Sequence, residues 1–475
     1  MVSTSIIYFV FLVCTLIVFY ISPTKYRNYI LIAASMIFYS YVKLSYLLII
    51  ISIIITNYFI GIEIGDTSNK KSKKNYLYLS LLLNVGILVY FKYWNFVIDN
   101  IVIFSGINYI KDNYIISEII LPLGLSYYIF QTIGYIFDIY RGTLKAEKDF
   151  SKFCLFTIFF PKLLVGPIER AKNLLPQLEI DHVLSKYNII EGCRLITWGL
   201  FKKLVVADRI SIYVNAVYSN LPQHNSTSFY FATLLYPFQV YADFSGYTDI
   251  AIGTAKLFGI NLMDNFRYPL FAKNVSDFWR RWHISLSSWV NDYIYIPIIL
   301  KNRDRGSLAV FYALLLSFVV IGIWHGPSWN FVLFGILQAV AIMVEVLSKN
   351  FRKKLSKRIS VNLYMYMSIM FTFLFFSFSL VIFRTTSLAE ASNIFKIMVS
   401  EMGSLFIDQP STIIYILIGI FILLIHDLKQ DNILAIIFLG NKKYKILQQM
   451  SYSLLLIYII LAGVFDGGQF IYFAF

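Results

Sequence analysis

Val320-Ile321-Gly322-Ile323-Trp324-His325-Gly326-Pro327-Ser328-Trp329 lies inside an apolar stretch that runs from 307 to 347. A helix that crosses a bilayer needs about 20 apolar residues, so the stretch holds one candidate span on either side of Gly326-Pro327. Proline disfavours the α conformation at the residue before it and breaks the hydrogen-bond ladder. The helix is therefore expected to end just after His325. An ionisable group at membrane depth is a functional candidate by default. The plainer alternative is a core imidazole bonded to a neighbouring helix, and the broken backbone beside His325 favours function.

Outward from this point, further apolar runs lie near 5–21, 29–42, 45–62, 76–98, 118–140, 189–213, 228–241, 245–260, 362–383, 411–426 and 449–465. The runs 29–42 and 45–62 are separated only by the Lys43 region and read as a hairpin. Met1-Val2-Ser3-Thr4-Ser5 carries no basic residue, so the first run reads as a retained helix, not a signal peptide. Of 475 residues, 58% are hydrophobic and 14% charged, where a soluble domain carries about 25% charged. The mean hydropathy is +0.68. The expected class is all-α: a polytopic transmembrane protein with about 11–13 membrane helices over 1–475. There is no internal repeat and no heptad seam.

The net charge of +15 comes from 41 basic and 26 acidic residues. In a soluble chain that balance would suggest nucleic acid. Here the basic residues cluster between apolar runs: Lys70, Lys71, Lys73 and Lys74; Arg352, Lys353, Lys354, Lys357 and Arg358; Lys442, Lys443 and Lys445. This is the pattern of cytoplasmic loops, with the N-terminus outside by parity, and it excludes a nucleic-acid partner. The lipid bilayer is the implied one. Cys14, Cys154 and Cys193 sit in apolar surroundings without metal-like spacing and read as buried, reduced thiols.

Two regions do not fit simple spans. In Phe159-Phe160-Pro161-Lys162-Leu163-Leu164-Val165-Gly166-Pro167-Ile168-Glu169-Arg170, two prolines and a glycine interrupt an apolar run, as in a re-entrant segment. Such backbone survives at membrane depth only where protein or a water-filled cavity satisfies it. The second region is Asp277-Phe278-Trp279-Arg280-Arg281-Trp282-His283-Ile284-Ser285-Leu286-Ser287-Ser288-Trp289-Val290-Asn291-Asp292. At about 3 kcal/mol per charge at the bilayer centre, exposing its charges to lipid would cost on the order of 12 kcal/mol. It must line a polar cavity or lie at the interface, and spacing alone leaves both open. On a helix Asp277 and Arg281 can pair, and Arg280, His283 and Ser287 form one polar stripe.

A third patch, Tyr241-Ala242-Asp243-Phe244-Ser245-Gly246-Tyr247-Thr248-Asp249, falls between apolar runs. Ser245 is a weak nucleophile candidate; the commoner reading is a helix N-cap supplied by Ser or Asp. His182, His224 and His426 read as loop or helix-end histidines. There is no Gly-x-Ser-x-Gly elbow, phosphate loop or His/Cys metal cluster.

Taken in order, these patches resemble the membrane-bound O-acyltransferase family, and within it the bacterial alginate and peptidoglycan O-acetylation branch. The carrying residues are Leu123-Gly124-Leu125-Ser126-Tyr127-Tyr128, Gln131, Asp138-Ile139-Tyr140-Arg141-Gly142, Phe160-Pro161, Val165-Gly166-Pro167-Ile168 and Asp243-Phe244-Ser245-Gly246-Tyr247. The strongest are the segment from Asp277 to Leu286, and Trp324-His325-Gly326. The terminal Phe470-Ile471-Tyr472-Phe473-Ala474-Phe475 also looks like that branch's aromatic end. The chain departs at Ile298-Ile299-Leu300, where close relatives carry a glycine pair, and in having only Gly322 before Trp324-His325.

The resemblance implies broken helices around a central polar passage in a bacterial cytoplasmic membrane. It implies a donor, acetyl-CoA, approaching from the cytoplasm, with no bound cofactor and no metal. It assigns the family's invariant histidine to His325 and its second, variable position to His283. Arg280, Arg281, Trp282, Asp277, Trp324, Asp243 and Ser245 would line the donor and substrate path. The acetyl group would leave outside, to an extracytoplasmic SGNH-type transferase or esterase acting on an envelope polysaccharide. Two other readings compete: the D-alanyl branch acting on teichoic acid, and a transporter or flippase of an envelope precursor. The latter calls for inverted repeats, which the sequence does not show.

Overall fold

The computed structural model describes residues 3–41, 43–107, 114, 121–400, 402–430 and 445–465. Lys442, Lys443, the start of the 118–140 run and the aromatic end at 470–475 lie outside the described residues. All regular structure within them is helical. Six helices are long and apolar enough to cross a membrane, and Ile6–Ile21 and Met450–Ala462 are shorter apolar ones. The chain divides into two compact units, 1–196 with 248–263, and 197–247 with 264–475.

The first unit opens with α1 (Ile6–Ile21), α2 (Arg27–Ser40) and α3 (Ser45–Asp66). α4 (Lys70–Leu88) runs through a π-type turn at Val89–Tyr93 into α5 (Trp94–Ser105), and α6 (Leu125–Tyr140) and α7 (Phe150–Ile158) follow. The expected hairpin is α2–α3. α3, α4 and α6 are joined by a buried polar network. Asn57 Nδ2 donates to Asn84 Oδ1 at 3.2 Å, and Asn84 Nδ2 donates back to Asn57 Oδ1 at 2.8 Å. Ser80 and Thr132 add hydroxyl donors at 2.8 and 3.3 Å. Polar pairs of this kind hold helices together where the hydrophobic effect cannot.

The irregular segment 159–170 is present and buried throughout. A single turn at Phe160–Leu163 gives way to non-helical backbone after Gly166. Lys162 explains how this survives. Its ammonium donates to Gln131 Oε1 at 2.9 Å and to the carbonyls of Phe156 at 2.6 Å and Thr157 at 3.4 Å, closing the end of α7. Gly124 has φ +76°, and a side chain there would strike the Leu163 carbonyl.

Of the thiols, only Cys154 is buried; Cys14 and Cys193 are on the surface. The apolar neighbours that suggested burial are what a membrane protein presents to lipid.

The chain passes between units inside α8 (Lys186–Leu200) and again inside α10 (Ser226–Leu257), with α9 (Asp208–Tyr218) between them. The patch at 241–249 is therefore no gap and no N-cap: it lies in the interior of one 32-residue helix. The reason is ionic. Lys203, in a π-type turn at Phe201–Ala207, reaches Asp243 at 2.7 Å and Asp208 at 2.8 Å, with all three side chains buried. Gly246 leaves room for the Gly199 carbonyl, which a Cβ would approach to 2.8 Å.

The second unit continues with α11 (Val275–Arg281), α12 (Ile284–Val290), α13 (Ser307–His325) and α14 (Trp329–Leu347). The basic α15 (Lys349–Ser356) replaces the expected loop. α16 (Val361–Arg384), α17 (Leu388–Met398), α18 (Pro410–Gln430) and α19 (Lys445–Ala462) complete it.

Candidate active site

α13 and α14 form a tight hairpin. Gly322 faces the Phe331 carbonyl and Gly335 the Phe318 carbonyl, so close that a Cβ at either would collide with it. His325 is the last residue of α13, as the following Gly-Pro predicted. Ser328 Oγ caps α14 by accepting from Asn330 N–H at 3.2 Å. Asn330 Nδ2 in turn donates to the Thr385 carbonyl at 2.8 Å and to Thr385 Oγ1 at 3.0 Å. The hairpin tip is thereby tied to the end of α16. The His325 ring is buried and packed edge-on to Phe383 at 5.0 Å.

His283 occupies the break between α11 and α12, with φ 43° and ψ 53°, a left-handed conformation rare outside glycine. It is completely buried, and its ring meets Phe244 edge-on at 4.7 Å. Trp324 joins the two histidines: its indole lies 5.4 Å from the His283 ring and 5.1 Å from the His325 ring. Sequence separation of some forty residues thus collapses onto a single indole.

The break changes the expected stripe. Arg280 and Ser287 do face one space, but the turn at His283 points its ring into the protein. The space is a cleft of about 580 Å³. Val310, Leu314, Ser317, Phe318 and Ile321 line it along α13, with Ile342 and Val346 from α14 and Arg280 and Asn291 opposite. It ends at Ile321, one turn of helix before His325. Ser317 Oγ, buried in its wall, meets no partner among the described residues.

The other expected site residues lie elsewhere. Asp277 and Arg281 pair at 3.0 Å, as their spacing predicted. Trp282 is buried against Phe278 at 5.4 Å and Phe266 at 5.0 Å. Asp243 holds Lys203, and Ser245 is buried inside α10. From that motif it is Phe244 that touches His283. Sequence reading missed Asn265, Lys203, Phe244 and Phe383. Lys203 carried a signal, being a lysine inside an apolar run; the other three did not.

A model of the membrane-bound O-acyltransferase family matches residues 145–382. Probable alginate O-acetylase AlgI of Azotobacter vinelandii is 35% identical over 72% of this chain and 68% of its own length. The peptidoglycan O-acetyltransferase of Helicobacter pylori is 32% identical over 78% of this chain and 74% of its own. The teichoic acid D-alanyltransferase of Bacillus subtilis is 29% identical over 55% and 68%. The matched region contains the cleft, both histidines and the indole between them. The chain is a multi-pass membrane protein with O-acyltransferase activity and belongs to the membrane-bound O-acyltransferase family.

Proposed function

We propose that the chain carries an acetyl group from cytoplasmic acetyl-CoA through a bacterial cytoplasmic membrane, towards O-acetylation of an envelope polysaccharide. The cleft along α13 is the observation that supports this reading most. α13 begins just after Lys301, Arg303 and Arg305, and α14 ends just before the basic α15. Under the positive-inside rule both open ends of the hairpin face the cytoplasm. Helical rise then carries His325 about 28 Å away, close to one hydrocarbon thickness. The cleft spans most of that distance, with an arginine suited to phosphate and serines along its wall.

The chemistry is acyl transfer. An acceptor hydroxyl attacks the thioester carbonyl; His325 takes the hydroxyl proton as base and returns it to the departing thiolate. Two relatives that match most of this chain carry O-acetylation in their names, whereas the D-alanyltransferase match is shorter, and this favours acetyl over D-alanyl. An extracytoplasmic SGNH-type transferase would place the acetyl group on sugar, because no large soluble unit is present among the described residues.

The test is reconstitution in proteoliposomes with radiolabelled acetyl-CoA inside and polysaccharide outside. Slow acetyl-CoA turnover alone, with polymer labelling only after the partner is added, is the expected result. Efficient polymer acetylation by this chain alone would remove the relay, and absence of any acetyl-CoA turnover would remove the donor.

A further inference from the structure

Asn265 lies in the loop after α10 and is buried. Its backbone carbonyl accepts the Ile284 N–H at 2.9 Å. Its side-chain Oδ1 accepts the Ser285 N–H at 3.2 Å and the Ser285 hydroxyl at 2.9 Å. The same oxygen stands 3.2 Å from His283 Nδ1. A backbone N–H can only donate, so the atom it meets must be the amide oxygen and not the amide nitrogen. Nδ1 therefore faces an acceptor. Ser285 Oγ, 3.5 Å from the same nitrogen, has its hydrogen committed to Asn265. The hydrogen between His283 and Asn265 has to come from the histidine.

We infer that Asn265 is the positioning residue of His283: it fixes the tautomer with hydrogen on Nδ1 and makes Nε2 the nitrogen that carries the lone pair. The partner of one ring nitrogen decides the state of the other. His283 in this state offers Nε2 as a hydrogen-bond acceptor to the substrate, for a hydrogen other than the one His325 removes; it does not donate one to an oxyanion. That last role rests on the acyl-transfer reading above, while the tautomer does not.

Two further features fit. The left-handed backbone at His283 is a strained conformation of the kind that persists where surrounding structure enforces it, and three hydrogen bonds from Ile284 and Ser285 to Asn265 hold the two residues that follow it. Among the described residues nothing accepts from Asn265 Nδ2. The side chain is thus engaged entirely through its oxygen, which is the atom the inference needs. An aspartate would supply the same oxygen geometry, as the carboxylate does in the serine-protease triad.

The experiment has two arms. In the first, protein labelled with ¹⁵N-histidine is compared with the His283→Gln variant to assign the His283 signals. A protonated Nδ1 with a bare Nε2 is expected, and hydrogen on Nε2 overturns the inference whatever the enzyme does. In the second, acetyl-CoA turnover is measured for Asn265→Ala and Asn265→Asp, with thermal melting as the folding control. Asn265→Ala should lose ~10²-fold in kcat at nearly unchanged KM for acetyl-CoA, as misplacement by about 1 Å of a group beside the reacting atoms does. Asn265→Asp should recover most of that loss. A folded Asn265→Ala protein with normal kcat overturns the positioning role. A wild-type protein with the expected tautomer and no acetyl turnover would leave the tautomer standing and sink the acetyl reading instead.

Discussion

Trp324 packs against both histidines, its indole lying 5.4 Å from the His283 ring and 5.1 Å from the His325 ring. Trp324→Ala removes a buried ring, and loss of that volume costs about 3–5 kcal/mol of stability. A displacement near 1 Å at the reacting groups costs ~10²-fold in rate. The expected outcome is a lowered melting temperature together with a kcat drop of that order, while Trp324→Phe keeps most of both; turnover assays and melting curves on purified protein decide it. His325→Ala should abolish acetyl transfer at normal membrane abundance, and His283→Ala should impair it less. Near-wild-type product from the His325 variant would refute the base assignment. Lys203 belongs to stability. Lys203→Ala strands two buried carboxylates and should destabilise by about 3–5 kcal/mol. Adding Asp243→Asn should recover part of it, measured as a double-mutant cycle in melting temperature.

At the level of elements, the α13–α14 hairpin sets where His325 stands. Gly322→Val drives a side chain into the Phe331 carbonyl, and overpacking of this kind costs roughly 1–3 kcal/mol. Because the strain falls one turn from the histidine, activity should fall further than stability. Gly86→Ala in α4 is the control, since a Cβ there meets nothing within 4 Å; it should leave melting unchanged or slightly raised. Most of these elements were legible in the sequence. The run 307–324 became Ser307–His325 and 328–347 became Trp329–Leu347, because apolar length and Gly-Pro punctuation are local facts. The patch at 241–249 was misread because its charge is neutralised by Lys203, forty residues away in sequence. The stripe at 280–287 was misread because helical spacing assumed a helix that Asn265, a distant loop residue, bends open at His283. Local pattern announces an element and the breaks that proline makes in it; an interruption without proline, as at His283, is announced only by its tertiary partners.

For the molecule as a whole, the positive-inside rule makes the basic clusters a prediction of sides. Cysteines introduced at positions 71, 354 and 443 should resist a membrane-impermeant maleimide added from outside. One at position 327, exposed at the hairpin tip, should react. The reverse pattern would invert the topology and with it the direction of acetyl movement. The asparagine pair in the first unit bears on how such a chain is made. α4 begins with four lysines among its first five residues and carries Ser80 and Asn84, which makes it a poor candidate for entering hydrocarbon alone. Asn57 on α3 supplies the amide that Asn84 needs, and interhelical bonds of this type are worth about 1–2 kcal/mol in model peptides. The two helices should therefore leave the translocon as a couple. In a glycosylation-reporter insertion assay, Asn57→Leu makes α3 more apolar yet should lower the insertion of α4: a polar residue in one helix acting as the passport of the next.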